Sequence, residues 1–304
     1  MSTAVLVMSY GSPEREGEVE AYYTHIRRGR PPTPEQLADL QRRYDAIGGL
    51  SPLAERTRSQ AAGVQAALDA IDPTEFQVFT ASKHAEPFLE DGVRAVAAAG
   101  ITKMVAMVLA PHYSALSVGE YLERVEDTAA GLGMTVHPVR NWHLEPGLVE
   151  LLAARLENAV RSTGVPAADT QVLVTAHSLP RRILDMGDPY PDQLRETAEA
   201  VTVAAGVARW RIAWQSAGRT PEPWLGPDVL ESIETAAAEG ARAVVVCPAG
   251  FTSDHLEVLY DLDIEARSKA QGLGVAFART ASLNDDPTFC HSVAEVAARA
   301  GGQL

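Results

Sequence analysis

Val172-Leu173-Val174-Thr175-Ala176-His177-Ser178-Leu179-Pro180 is preceded, much earlier in the chain, by a stretch of the same form: Val5-Leu6-Val7-Met8-Ser9-Tyr10-Gly11-Ser12-Pro13. Each is an apolar run of strand length that gives way to a polar loop. A run apolar at successive positions fits a strand buried on both faces, as in a parallel sheet. A second pair of matches follows in the same order. Glu86-Pro87-Phe88-Leu89 lines up with Glu222-Pro223-Trp224-Leu225. Each then leads through a helix-like stretch and a glycine, Gly100 or Gly240, to an apolar strand, Met104–Leu109 or Ala243–Cys247.

Strands alternating with helices of about 10–15 residues define an α/β protein with parallel sheets. The repeat makes this two similar Rossmann-like domains, each a sheet flanked by helices, with a cleft between them. The expected halves are 1–145 and 146–304. The boundary falls in Arg140-Asn141-Trp142-His143-Leu144-Glu145-Pro146-Gly147, where Pro146 suits a first helical turn. A terminal helix from Pro287 to Ala300 is expected to pack back on the first domain. Neither half carries Gly-x-Gly-x-x-Gly or a P-loop, so nucleotide binding is not supported. Tyr10 and His177 hold equivalent places after their strands. Ligand sites in open α/β sheets gather there, so the two are expected to face one another across the cleft.

Composition narrows the classes further. The net charge of −14, from 26 basic and 40 acidic residues, argues against nucleic acid. No run of about 18 apolar residues marks a membrane span. The Met1-Ser2-Thr3-Ala4 start does not read as a signal peptide. Cys247 and Cys290 give no disulfide framework, and a cytoplasmic location fits. A monomer is expected.

Ser253-Asp254-His255-Leu256-Glu257-Val258-Leu259-Tyr260-Asp261-Leu262-Asp263-Ile264-Glu265 carries acids at Glu257, Asp261 and Glu265. On a helix these share one face, with about 6 Å of rise between neighbours. Apolar residues crowd the rest of the segment. Buried like charges need protons or cations to neutralise them, so the row suits conduction of a hard cation or of protons. A regular helix fans the row by roughly 80°, and a π-type turn would straighten it. Either geometry is expected within 255–265. His255, two residues from Glu257, is expected to point away from the row.

Seven blocks in order resemble the ferrochelatase family, and most of all its soluble coproporphyrin III ferrochelatases. They are Ser9-Tyr10-Gly11-Ser12-Pro13, Tyr22 to Gly29, Tyr44 to Leu53, Leu109 to Ser114, Ala176 to Pro180, Trp214 to Gly218 and Ser253 to Glu257. The resemblance implies a chelatase-like fold and insertion of Fe²⁺ into coproporphyrin III to give coproheme. It implies His177 and Glu257 as the catalytic pair, with Tyr10 on the opposite side of the macrocycle. Metal contacts are then expected from His177, Glu257, Asp261, Glu265 and Tyr10. Porphyrin contacts are expected from Tyr10, Arg27, Arg28, Arg30, Ser51, Tyr113 and Ser114, over an apolar floor drawn from Ile26, Ile47, Leu50, Leu53 and Trp214, with Met8 in the core. Arginine forks suit the propionates. A carboxylate beside the imidazole is expected to be shifted toward neutrality and so to accept a proton. Iron is a substrate and no cofactor is required. Two cysteines cannot supply the four thiolates of a [2Fe–2S] cluster. Transient contact with neighbouring haem-pathway enzymes fits this role. Protoporphyrin IX as substrate, a porphyrin carrier without chemistry, and a cobalt or nickel chelatase are the competing readings.

Overall fold

The computed structural model describes residues 2–218 and 220–302. The outer limits of the two expected halves, residues 1 and 304, lie outside that range. The first half runs β1 (Thr3–Ser9), α1 (Val19–Ile26), α2 (Pro34–Ala46), α3 (Leu53–Ile71), β2 (Phe76–Ser82), α4 (Leu89–Ala98), β3 (Lys103–Val108), α5 (Val118–Gly131), β4 (Thr135–Val139) and α6 (Pro146–Ser162). The second runs β5 (Thr170–His177), α7 (Tyr190–Ala204), β6 (Trp210–Gln215), α8 (Val229–Ala238), β7 (Ala243–Cys247), α9 (Leu256–Leu259), a π-turn (Asp261–Ala266), α10 (Arg267–Gly272), β8 (Ala276–Arg279) and α11 (Pro287–Gly301).

The sheets are ordered β2-β1-β3-β4 and β6-β5-β7-β8, all parallel. The two orders are the same, so the repeat read from the sequence is a repeat of topology. Central β1 is buried at every position, as its unbroken apolar run requires. The chain leaves β1 for one neighbour and returns on its other side at β3. That reversal opens a crevice at the carboxyl end of β1, and likewise at the end of β5. Val5 pairs with Val105, and Val172 with Val245. Tyr10 and His177 therefore follow equivalent strands at equivalent steps.

The second sequence match needs correction. Ser82 N donates to Pro87 O (2.8 Å), and Trp214 N to Pro227 O (2.9 Å). Phe88 and Asp228 then cap α4 and α8. The true counterpart of Glu86-Pro87-Phe88-Leu89 is Gly226-Pro227-Asp228-Val229. Glu222-Pro223-Trp224-Leu225 belongs to a longer excursion after β6 that the first half lacks. A shared Glu-Pro pair gave the wrong register.

Counted by the repeat of topology, α6 ends the first half, past the expected boundary at 145/146, and the helices that end the two halves exchange places. α6, which follows β4, packs on α7, β7 and β8 of the second half. α11, which follows β8, packs on α3, β3 and β4 of the first. They also pack on each other, and one apolar core runs from Val5, Val105 and Met107 through Leu156 and Phe289 to Val172 and Val245. Asp286 caps α11 and pairs with Arg155 of α6 (2.7 Å). Two glycines let α11 sit this deep. A Cβ on Gly63 of α3 would meet Cys290 Sγ at 2.5 Å, and one on Gly147 of α6 would meet Ser292 Oγ at 2.1 Å.

Gly63→Val is accordingly expected to cost about 1–3 kcal/mol, because the added methyls must displace α11. Urea unfolding checks this: the midpoint should fall, and an unchanged midpoint would mean the seam has slack.

Candidate active site

His177 ends β5 with Tyr190 Oη donating to its carbonyl (3.0 Å). Its Nδ1 bonds the Ser178 carbonyl, which leaves Nε2 free to face Glu257 Oε1 at 3.5 Å. Burial works against a charge on this imidazole, but the Glu257 carboxylate outweighs it and raises the ring to about 9. Glu257 is the mirror case. Burial favours its neutral form, and His177 and His255 together hold it well below the usual carboxylate range. The resting pair is an imidazolium and a carboxylate.

His255 does not point away. It is the residue before α9, with extended backbone (φ −161°, ψ 179°), so helical spacing does not apply to it. Its Nδ1–H donates to Ser253 O (2.9 Å), and Nε2 lies 3.7 Å from Glu257 Oε2. Glu257 thus sits between two imidazoles.

The acids beyond it lie in unlike surroundings, with Asp261 near enough to feel both Glu257 and Glu265. Asp261 opens the π-turn, in which Glu265 N reaches back five residues to Tyr260 O (3.0 Å). The π geometry falls where the sequence allowed it. Asp261 is buried, accepts from Ser216 Oγ (2.5 Å) and lies 3.8 Å from Arg43 Nη1 of the first half. Burial and the nearby Glu257 charge push it up to about 7. The carboxylate brought near neutrality is therefore Asp261, whereas the sequence reading assigned that property to the acid touching the imidazole. The difference is one of partners: Glu257 has two imidazoles, and Asp261 has a hydroxyl and a distant guanidinium. Glu265 lines an open depression with Leu230, Ile264, Ser268, Lys269 and Leu273. Asp263, on the other side of the turn, is held by Arg279 through two bonds (2.9 and 2.8 Å). Among the described residues no three His, Cys, Asp or Glu side chains converge closely enough to hold a metal ion.

The first half brings further groups near this segment. Tyr10 is 43% exposed, and its ring stands 4.6 Å from that of His84. Its hydroxyl is pushed above the ordinary phenol range by desolvation and then by Glu257, so that carboxylate is felt at Tyr10. Tyr44 is shifted the same way by the same two causes. Lys83, beside His84, pairs with Glu120 (2.5 Å) in the first turn of α5, and Arg124 pairs with Glu90 (2.7 Å). The acid that opens the helix after β3 is thus neutralised by a lysine, whereas the one after β7 faces histidines.

Arg27, Arg28 and Arg30 lie just past α1, where Arg28 (φ 55°) and Gly29 (φ 81°) turn the chain back. Arg27 packs over the Tyr23 ring at 5.6 Å and donates to Arg30 O (3.2 Å). No carboxylate pairs with these three arginines among the described residues. Ile26, Ile47, Leu50 and Leu53 are half-buried. Met8 is in the core, and so is Trp214, whose ring packs 5.6 Å from that of Tyr190 and does not floor the cleft.

Two expected porphyrin contacts, Ser114 and Ser51, are placed otherwise, while Tyr113 is half-buried. Ser114 is fully buried, and its hydroxyl donates to Asp188 (2.9 Å) across the joint between the halves. Ser51 Oγ accepts from Leu256 N (3.3 Å) and so caps α9 from the first half. Tyr113 turns its hydroxyl toward Gly119, with Arg140 5.8 Å from its ring centre. Ser114 and Ser51 each close an interdomain contact that sequence alone cannot show. Sequence reasoning missed Trp224, whose ring is 6.4 Å from that of His177, and Arg43 and Ser216, which hold Asp261. Trp224 lies in the excursion that the repeat does not cover.

Residues 2–300 match the ferrochelatase family model. The coproporphyrin III ferrochelatase of Anoxybacillus flavithermus is 47% identical over 296 residues, covering 96% of this chain and 94% of its own. That of Bacillus subtilis is 44% identical, covering 96% of each. The ferrochelatase of Herpetosiphon aurantiacus is 44% identical over 94% of this chain and 95% of its own. The fold alone is shared with solved structures of SirB from Bacillus subtilis with Fe³⁺ (TM-score 0.57, 15% identity, 100% of this chain and 98% of that one) and of CbiX (0.55, 17%, 97% of each). Among the described residues no helix is long and apolar enough to cross a membrane. A family match across almost the whole chain, with relatives at this identity, means that the chain belongs to the ferrochelatase family.

Proposed function

We propose that this protein inserts Fe²⁺ into coproporphyrin III, releasing two protons for each iron. The observation that carries the reading is the His177–Glu257 charge pair at the end of β5, with Tyr10 of the first half near enough to feel Glu257. Relatives named coproporphyrin III ferrochelatases support the substrate. Unpaired Arg27, Arg28 and Arg30 supply what a polycarboxylate needs locally, against a net charge of −14 that repels it at a distance.

The proton on His177 and an arriving iron exclude one another. As Fe²⁺ approaches the imidazole, that proton moves to the neighbouring carboxylates. Glu257 is too acidic to keep it. Asp261, near 7, takes it and gives it up at neutral pH, and Glu265 leads to solvent. His177, once free, accepts a pyrrole proton, and the second leaves by the same route. The exchange of one Fe²⁺ for two H⁺ balances the charge. Imidazole and carboxylate are acceptable ligands for ferrous iron. Tyr10 meets the macrocycle from the other face.

His177→Ala should abolish insertion while porphyrin still binds, measured anaerobically from the absorption change to metalloporphyrin. Near-normal turnover would remove His177 from the catalytic role. Glu257→Gln should behave alike and resist rescue by high iron, whereas loss of the Asp261 or Glu265 carboxylate should be partly rescued.

Removing charge at Arg27, Arg28 and Arg30 should weaken coproporphyrin III more than the two-carboxylate protoporphyrin IX. The difference should shrink with salt. Equal losses would count against carboxylate recognition here.

Asp261 also ties stability to pH. The folded protein keeps its proton to about 7, while the unfolded chain releases it near the ordinary 3.8. Between those values the unfolded state binds fewer protons, so this contribution falls as pH rises. Relative to Asp261→Asn, the wild type should lose stability from about pH 4 to 7 in urea titrations. Parallel pH profiles would show that Asp261 ionises as freely folded as unfolded.

A further inference from the structure

His25 and His84 face each other through their Nδ1 atoms at 2.9 Å, outside the catalytic set. Two neutral imidazoles make that contact only if one Nδ1 carries the hydrogen and the other offers its lone pair. The bond joins two parts of the first-half wall that have different tasks. His25 stands in the last turn of α1, two residues before Arg27. His84 follows β2; its backbone N donates to Tyr10 O (3.0 Å), and its ring lies 4.6 Å from the Tyr10 ring. The His25 ring also stacks on Phe88 (5.0 Å, 25°). One further polar bond ties α1 to the loop after β1, Tyr22 Oη to Gly11 O at 2.9 Å. α1 is short, and it leads into a left-handed turn at Arg28 and Gly29. Val19 is buried at the start of α1, and Tyr22 holds its middle. The second bond, one turn further along, sets its angle.

We infer that His25 and His84 are positioning residues, whose N–H···N bond fixes the arginine-bearing end of α1 relative to Tyr10 and so sets preference for porphyrins with more carboxylates. This rests on the proposed reading of Arg27, Arg28 and Arg30. Neither histidine takes part in the proton transfers proposed for His177 and the acids. They fix the distance between the group that meets the macrocycle face and the groups that meet its rim, and a rim with four carboxylates depends on that distance more than a rim with two.

The two contacts of His25 can be separated. His25→Phe keeps a ring to stack on Phe88 and loses the hydrogen bond. His25→Asn loses the stack and places an amide, able to donate or accept, where Nδ1 stood. Steady-state kinetics with coproporphyrin III and protoporphyrin IX should show a KM for the first raised roughly fivefold in His25→Phe, the size of one lost hydrogen bond. kcat should stay within about twofold, the KM for the second should rise less, and His25→Asn should restore the wild-type ratio. His84→Phe, which keeps a ring against Tyr10 and loses the bond, offers the same test from the other side should His25→Phe not fold. Equal effects of His25→Phe and His25→Asn, or a fall in kcat at constant KM, would overturn the inference. Arg27→Ala separates the two levels. If it leaves the ratio of KM values unchanged, the arginine reading falls and this inference with it. If it shifts the ratio while His25→Phe does not, only the positioning role is lost.

Discussion

Each half of this protein gives its last helix to the other, and the active site exists because of that exchange. A parallel sheet covered by its own helices would be a complete domain, free to rotate against its neighbour. Here α6 covers the second sheet and α11 the first, so neither half closes its core alone. The carboxyl ends of β1 and β5 are thereby fixed toward a common space. Smaller contacts refine the alignment: Gln60 of α3 donates to the carbonyls of Thr252 and Asn284 (3.0 Å each), and Ser51 caps α9. These are polar bonds made across the joint by buried side chains, where leaving them unmade is costly.

Within that frame the chemistry follows from unequal environments along one short segment. Glu257, Asp261 and Asp263 are close in sequence and differ in everything that decides their protonation. Asp263 is neutralised by an arginine, Glu257 lies between imidazoles, and Asp261 is buried with a serine and a distant guanidinium. The π-turn makes this possible, because its extra residue per turn re-aims side chains that a regular helix would fan apart.

The repeated apolar strands made the sheet class, the two halves and the places of Tyr10 and His177 legible from the chain, because strand burial imposes its pattern on every residue. In the site, the π-turn expected within 255–265 and the meeting of His177 with Glu257 were legible from the run of residues that carries them. The site was otherwise not legible where function rested on a partner distant in sequence. Nothing near Ser114 announces Asp188, and nothing near Glu257 announces that His255 would sit outside the helix and turn back. The misplaced register at Glu222-Pro223 has a similar origin: a two-residue coincidence outweighed an excursion whose ends are fixed only by hydrogen bonds to Trp214.

The two walls of the cleft are built on the same plan, yet their charges do not match. Where the second half leaves an acid facing imidazoles, the first closes the corresponding acid with Lys83 and adds the Arg124–Glu90 pair behind it. A planar ligand held between such walls meets a one-sided field. The duplicated scaffold thereby acquires a direction that symmetry alone would have denied it. Had Lys83 been an uncharged residue, the cavity would offer two acidic faces, and nothing in its shape would tell entry from exit.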